Sequence, residues 1–286
     1  MVGFVLSGGA SLGAVQVGML RALYEREIVP ELVVGASVGA INGAYIASHP
    51  PTVQTAYELA AIWRTLRTFQ IFPPNPAPAL LGLLGRLDHL ISNAGLKAVL
   101  AAHFQQFERL EQMPIPLHVI ATDIRDGSER RLSAGDVMAA VMASSAIPGI
   151  YPAVSFEGVD LVDGGVANNT PISDAAELGA TKIYVLPTGI SCELEEPPRA
   201  AIPVLIHAFT VLISQRLTED IERFSHEAEL IVLPPPCPTH VLPSDFSHAG
   251  VLIEQSYELA RAALEHPDPA THWTPRSLER IKPHEH

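Results

Sequence analysis

The chain has 286 residues, 48% of them hydrophobic and 17% charged, which suffices for one large domain or two small ones and excludes a disordered chain. Lys and Arg number 18 against 31 Asp and Glu, a formal net charge of −13. An acidic chain of this kind is not expected to bind nucleic acid, because phosphate affinity comes mainly from Lys and Arg.

In chain order, short apolar runs alternate with segments of helical period. GFVLSG (3–8) reads as a strand and GAVQVGMLRALYERE (13–27) as a helix with Val17, Leu20 and Leu23 on one side. ELVVGA (31–36) is a strand, and VGAINGAYIAS (38–48) a helix of small residues. PLHVIATDI (116–124) is a third strand, followed by a helix over 134–146 with Asp136 near its positive start. VDLVDGG (159–165) is a strand ending in a turn, and ISDAAELGA (172–180) a helix closed by Gly179. KIYVLPTG (182–189) and AELIVLPPP (228–236) complete the strands. Such alternation predicts an α/β fold, a mainly parallel central sheet with helices on both faces.

One stretch breaks the pattern. From Thr65 to Leu100 the chain carries Pro73, Pro74, Pro76 and Pro78 and then a Leu-rich patch. It reads as a cap or insertion near the mouth of a site at the sheet's C-terminal edge. The expected domain runs over residues 1–265, with a polar tail over 266–286. IPVLIHAFTVLI (202–213) is the longest apolar run. It falls short of the ~18 residues that suggest a membrane span, and a buried helix explains it better.

The N-terminus lacks a basic region before its apolar residues, so it reads as a strand and not as a signal peptide. Cys192 and Cys237 are the only cysteines and show no C-x-x-C spacing, so both read as ordinary small residues in a reducing compartment. A cytoplasmic protein is expected, with membrane contact at most peripheral. Metal-ligand spacings are missing, and no cofactor is expected.

Three constellations carry chemistry. Gly35-Ala36-Ser37-Val38-Gly39 is a G-x-S-x-G between a strand and a helix. A serine on such a turn is forced into strained backbone geometry, with its hydroxyl raised at the positive end of the helix. The alternative is a bland tight turn. Ser7-Gly8-Gly9-Ala10-Ser11-Leu12-Gly13 lies in the same context and leaves backbone amides free at a helix start, an anion cradle. It lacks the Lys-Ser/Thr of a P-loop, so an oxyanion suits it better than a nucleotide phosphate. Asp163-Gly164-Gly165 leaves an apolar strand beside two glycines, where a desolvated carboxylate can accept a proton from a serine; taken alone, it reads better as an Asp opening a turn before two glycines. All three fall at C-terminal strand ends, which share one crevice in an open parallel sheet.

LSGGASLGAVQVGMLRAL, GASVGAINGA, ASSAIPGIYPAV and DGGVANNTPI, in this order over residues 3–190, resemble the patatin-like phospholipase family. The resemblance implies a serine lipid acyl hydrolase with a Ser–Asp dyad and no third member, cleaving carboxylic esters of acyl lipids through an acyl-enzyme. Ser37 would be the nucleophile and Asp163 the general base. The amides of Gly8, Gly9 and Ala10 would form the oxyanion hole, with Gly13, Gly35, Gly39, Gly164 and Gly165 as motif support. Ala10 replaces the family's third glycine and Leu12 its basic residue, which puts in doubt attraction of an anionic head group. Two rivals remain. A Ser–His–Asp esterase could draw on His207, His226, His240 or His248 by chain order, and a lipid-binding scaffold of the same fold would not catalyse. Oligomeric state is not legible.

Smaller signals read as follows. Asp123, Asp126, Glu129, Arg130 and Arg131 form a solvated hairpin. Asn168 and Asn169 order the loop after Asp163, and Ser144 and Ser145 pack close to Asp163.

Overall fold

Strands form where the apolar runs predict them. They are β1 (Val2–Leu6), β2 (Leu32–Ala36), β3 (Leu117–Asp123), β6 (Val159–Asp163), β7 (Lys182–Leu186) and β8 (Glu229–Val232), joined by the short β4 (Glu129–Leu132) and β5 (Val154–Phe156). The computed structural model describes residues 1–74, 76–103, 108–191, 197–237 and 241–265. The tail expected over 266–286 lies outside them.

The helices are α1 (Ala14–Tyr24), α2 (Val38–Ser48), α3 (Val53–Thr65), α4 (Thr68–Ile71), α5 (Pro76–Leu83), α6 (Ala94–His103), α7 (Val137–Ser144), α8 (Ile172–Glu177), α9 (Ala201–Phe224) and α10 (Ala249–Glu265). Asp136 caps α7, its Oδ1 accepting from the Ala139 amide at 2.6 Å. Gly179 takes φ +89° just past α8, the left-handed conformation that ends a helix.

The sheet has eight strands in the order β5-β6-β3-β2-β1-β7-β8, with β4 on β3. β2, β1, β7, β8 and β3 run parallel. β4, β5 and β6 are antiparallel additions, so the sheet is mixed. Side chains alternate across it. Phe4 and Leu6 enter the larger core, with α1, α2, α3, α7 and α10, and Val5 enters the smaller one under α8 and α9.

β3 has three partners, so two must share one of its edges. Successive strand residues direct their N–H and C=O to opposite edges. The Pro116 carbonyl accepts from Val33, and the Ile124 amide donates to Asp160, both at even positions. The Asp123 amide donates to Ser128 on the other edge. β2 and β6 therefore lie tip to tip along one edge of β3, with Ala36 beside Ile120 and Asp163 beside Ala121. A shared parallel edge, as the sequence suggested, does not explain the meeting of Ser37 and Asp163. Two strands running toward each other do.

Other expectations need correction. α1 is buried all round except at Arg21, because α10 covers the face turned from the sheet. A Cβ on Gly18 would collide with the Ile253 carbonyl and Ser256 of α10. The cap region contains α4, α5 and α6, and its later part is pinned where the Leu90 and Ile91 amides donate to Gly149 and Ile150 at 3.0 and 2.9 Å. The run at 202–213 is the first half of α9, with Val204, Leu205, Phe209 and Leu212 exposed instead of buried. Cys237 is half of a disulfide, a bond characteristic of oxidising compartments, and not an ordinary small residue. Cys192 lies outside the described residues. The 123–131 hairpin exists, but Asp123 is buried and holds Arg130 at 2.9 Å. Burial and the neighbouring Asp174 push the half-buried Glu129 carboxyl up to about 7.

Candidate active site

Ser37 sits at the tip of β2 with φ +54° and ψ −125°. A β-carbon is strained there. The turn is possible because its flanks have no side chains. A Cβ on Gly35 would press on Gly39, and one on Gly39 would collide with the Leu6 carbonyl. The Ser37 amide donates to Ser144 Oγ at 2.8 Å, and Ser144 Oγ in turn donates to the Ile120 carbonyl at 2.5 Å. Ser144 thus ties the turn to β3, at the point where the C-terminal ends of β2 and β6 meet. The serine beside it, Ser145, is buried on the cavity wall, and its Oγ has no partner among the described residues.

Ser37 Oγ donates to Asp163 Oδ2 at 2.6 Å, and Asp163 Oδ1 accepts from the Gly165 amide at 2.8 Å. The carboxylate is 7% exposed. Burial raises its pKa to about 6, against the two hydrogen bonds, which favour the charged form. The Asp163 backbone is held at both ends. Its amide donates to Ala146 at 2.9 Å and its carbonyl accepts from Thr122 Oγ1 at 2.8 Å. Among the described residues no histidine hydrogen-bonds to Ser37 or Asp163; His248 pairs instead with Asp245 at 2.9 Å, and His240 lies outside the described residues.

The glycine loop approaches from the other side. The Gly8 amide donates to the Asn169 carbonyl at 3.1 Å, which links this loop to the one after Asp163 and leaves Gly8 without a free donor. The Gly9 and Ala10 amides donate to no other described residue. Ala10 adopts φ +51°, a conformation better suited to the glycine it replaces. Leu12 packs at the margin of the larger core.

Sequence reasoning missed the residues beneath this loop. Gln16 is fully buried, and its Nε2 donates to the Ser7 and Leu186 carbonyls at 2.8 and 3.0 Å. Its Oε1 accepts from Asn42 Nδ2 at 2.8 Å, and Asn42 Oδ1 accepts from Trp63 Nε1 at 3.0 Å. Thr188 clamps the loop from β7, its Oγ1 donating to the Gly8 carbonyl at 2.5 Å and its amide to Ser7 Oγ at 2.9 Å. A glutamine inside an otherwise apolar helix and an asparagine among small residues were the available signals, since buried amides need partners.

An apolar cavity opens beside Ser37. Ala10, Val38, Ile41 and Trp63 line the end near the serine. Ile71, Phe72, Leu96 and Leu100, from the 65–100 stretch, form a wall. That wall is braced by Tyr151, whose hydroxyl donates to the Ile71 carbonyl at 2.5 Å and whose ring stacks on Phe72 at 5.6 Å.

A strained serine, a desolvated aspartate, free amides and an apolar cavity agree with a family comparison. The model of the patatin-like phospholipase family matches residues 4–176. The chain belongs to this family. The patatin-like phospholipase domain-containing protein 7 of Mus musculus is 29% identical over 190 residues, 66% of this chain and 14% of that protein. The lysophospholipase NTE1 of Mycosarcoma maydis is 27% identical over 195 residues, 66% of this chain and 10% of that one. The chain therefore spans a minor part of these patatin-like relatives. Among solved structures, VipD from Legionella pneumophila matches 89% of this chain and 66% of its own at a TM-score of 0.44 and 15% identity.

Proposed function

We propose that this patatin-like chain is a serine hydrolase of acyl lipid esters, working through a Ser37–Asp163 dyad. The observation that carries the reading is the 2.6 Å hydrogen bond from Ser37 Oγ to a buried carboxylate at the mouth of an apolar cavity. Relatives named lysophospholipase and neuropathy target esterase support lipid ester chemistry.

The geometry supports the following sequence of steps. Ser37 Oγ attacks the acyl carbonyl while its proton passes to Asp163, which must be ionised to take it. The carbonyl oxygen becomes an oxyanion, held by the Gly9 and Ala10 amides. Collapse of the tetrahedral intermediate breaks the ester bond. The alcohol leaves with the proton from Asp163, and the acyl group stays on Ser37 with its chain in the cavity. Water then attacks this acyl-enzyme, giving its proton to Asp163. The second collapse releases the fatty acid, and Ser37 recovers the proton.

The preset, strained turn holds Oγ toward Asp163 with no histidine among the described residues to orient it. Burial makes the carboxylate more basic than an exposed one, which helps it act on a hydroxyl. Labelling with a fluorophosphonate and mapping the adduct by mass spectrometry tests the reading. Adduct on Ser37, lost in Asp163→Asn, is expected; adduct elsewhere, or full ester turnover by Asp163→Asn, overturns it.

A further inference from the structure

The outward face of α9 changes character part-way along the helix. Residues seven apart share one line of a helix. One line runs Leu205, Leu212, Glu219, and a second runs Phe209, Arg216, Arg223. The same face is thus charged in the second half and apolar in the first, where Leu205 is 69% exposed. Meanwhile Leu217, Ile221 and Phe224 anchor the inward face in the core.

Ser214 marks the change, and it lies level with the edge of the sheet. Its Oγ accepts from the Ser191 amide at 2.7 Å, just after β7 ends at Leu186. The far end of α9 leads back to β8, which starts beside the first residue of β7. The stretch from Ala201 to Ser214, about 20 Å of helix, therefore lies toward the end of the sheet where β1, β2 and β7 finish. Ser37 follows β2 at that edge.

A second apolar element hangs from the same edge. α5 has no buried and no charged residue, and Leu83 is 77% exposed. It lies between Phe72 and Leu96, both on the wall of the cavity. Most of the exposed large apolar side chains among the described residues fall in these two places, 69–87 and 204–212. An apolar helix left in water at a cavity mouth marks a contact surface. Charge points to its partner. Between Thr65 and His103 the chain carries Arg67, Arg86 and Lys97 against Asp88 alone, although the whole chain is at −13. Arg86 and Lys97 are exposed and form no ion pair among the described residues.

We propose that α5 and the first half of α9 form a docking face for an anionic lipid bilayer, which seats the mouth of the cavity on the membrane. Leucines and phenylalanine enter the acyl boundary, and Arg86 and Lys97 meet the head groups. The choice of a bilayer as partner rests on the lipid-hydrolase reading, while the test does not depend on catalysis.

Flotation of the full chain with phosphatidylcholine vesicles, with and without phosphatidylglycerol, reads the docking directly. The pairs Leu83→Glu with Leu84→Glu, and Leu205→Glu with Phe209→Glu, should each lower partitioning by a factor of roughly ten or more. Neither pair touches the site residues, so turnover of a dissolved short-chain ester should persist. Ser37→Ala should float as the wild type does while losing ester turnover. Floating with no ester turnover by the wild type would sink the hydrolase reading and leave the docking intact. Wild-type partitioning by both pairs overturns the proposal, and so does equal binding with and without phosphatidylglycerol. A wild-type dimer that these substitutions dissociate, with no vesicle binding, would assign the face to a second copy instead.

Discussion

The floor of the site and its rim are built on opposite rules. On the floor most polar groups have a partner in the chain. Ser37 holds Asp163, Gln16 holds the Ser7 and Leu186 carbonyls, and Thr188 holds Gly8. On the rim, Leu80 and Leu83 of α5 and Leu205, Phe209 and Leu212 of early α9 lie exposed among the described residues. A floor satisfied from within can keep a strained serine in one geometry. A rim left unsatisfied depends on what it meets. Damage to the floor should therefore appear in any assay, and damage to the rim only where a lipid surface is present.

The largest expected effect breaks the floor at its reacting pair. Ser37→Ala should lower turnover of a dissolved chromogenic ester at least roughly 10⁴-fold, with the fold retained by circular dichroism. Next comes Gln16→Met, which keeps the volume but takes the side-chain donor from the buried Ser7 carbonyl and one of two partners from the Leu186 carbonyl and the Asn42 amide. It should cost about 3 kcal/mol in urea unfolding; a loss below about 1 kcal/mol would mean that the loop is held elsewhere.

Asp163 gives the floor a pH signature. Its carboxyl sits at about 6 in the folded chain, above an ordinary value of about 3.9. The folded state retains this proton between those values, after the unfolded chain has lost it. Stability from this group is thus present below the lower value and lost as pH rises through the upper one. Ester turnover should move the other way, rising about tenfold per pH unit below the folded pKa and levelling above it. In Asp163→Asn the stability change across this window should flatten. A profile identical to the wild type would remove the titration from Asp163.

Ala10→Gly should relieve the left-handed backbone at this position and raise stability by about 0.5–1 kcal/mol, after allowing for the freer unfolded chain. The smallest effect belongs to the rim. Leu83→Ser and Leu205→Ser should shift unfolding by less than about 0.5 kcal/mol, since neither side chain is packed. A clear drop in Tm would show that the rim is part of the core after all.

Much of the floor was legible because its constraints are local. G-x-S-x-G forces a turn by steric need alone, whereas Asp163 by itself reads as a turn opener and gained meaning only beside the other two motifs and the family resemblance. The strands β1, β2, β3, β7 and β8 announced themselves as apolar runs. Gln16 and Asn42 did not, since an isolated amide in a helix has no pattern until its partners, distant in sequence, arrive. Gly8 carried the right residue type for an oxyanion donor, yet the Asn169 carbonyl takes its amide. The run at 202–213 misled because hydrophobicity reports what a side chain prefers and not what covers it.

The sequence by itself determined the alternation of strand and helix and the strained turn at Ser37, because each depends on residues close along the chain. The tertiary structure alone decided that β6 meets β2 tip to tip along β3, which brings Asp163 within 2.6 Å of Ser37. It also decided that α10 buries α1 while the first half of α9 stays bare. Those outcomes depend on which edge of β3 each strand takes and which helix face finds a neighbour. Contacts of that kind join residues far apart in the chain, and no local pattern encodes them.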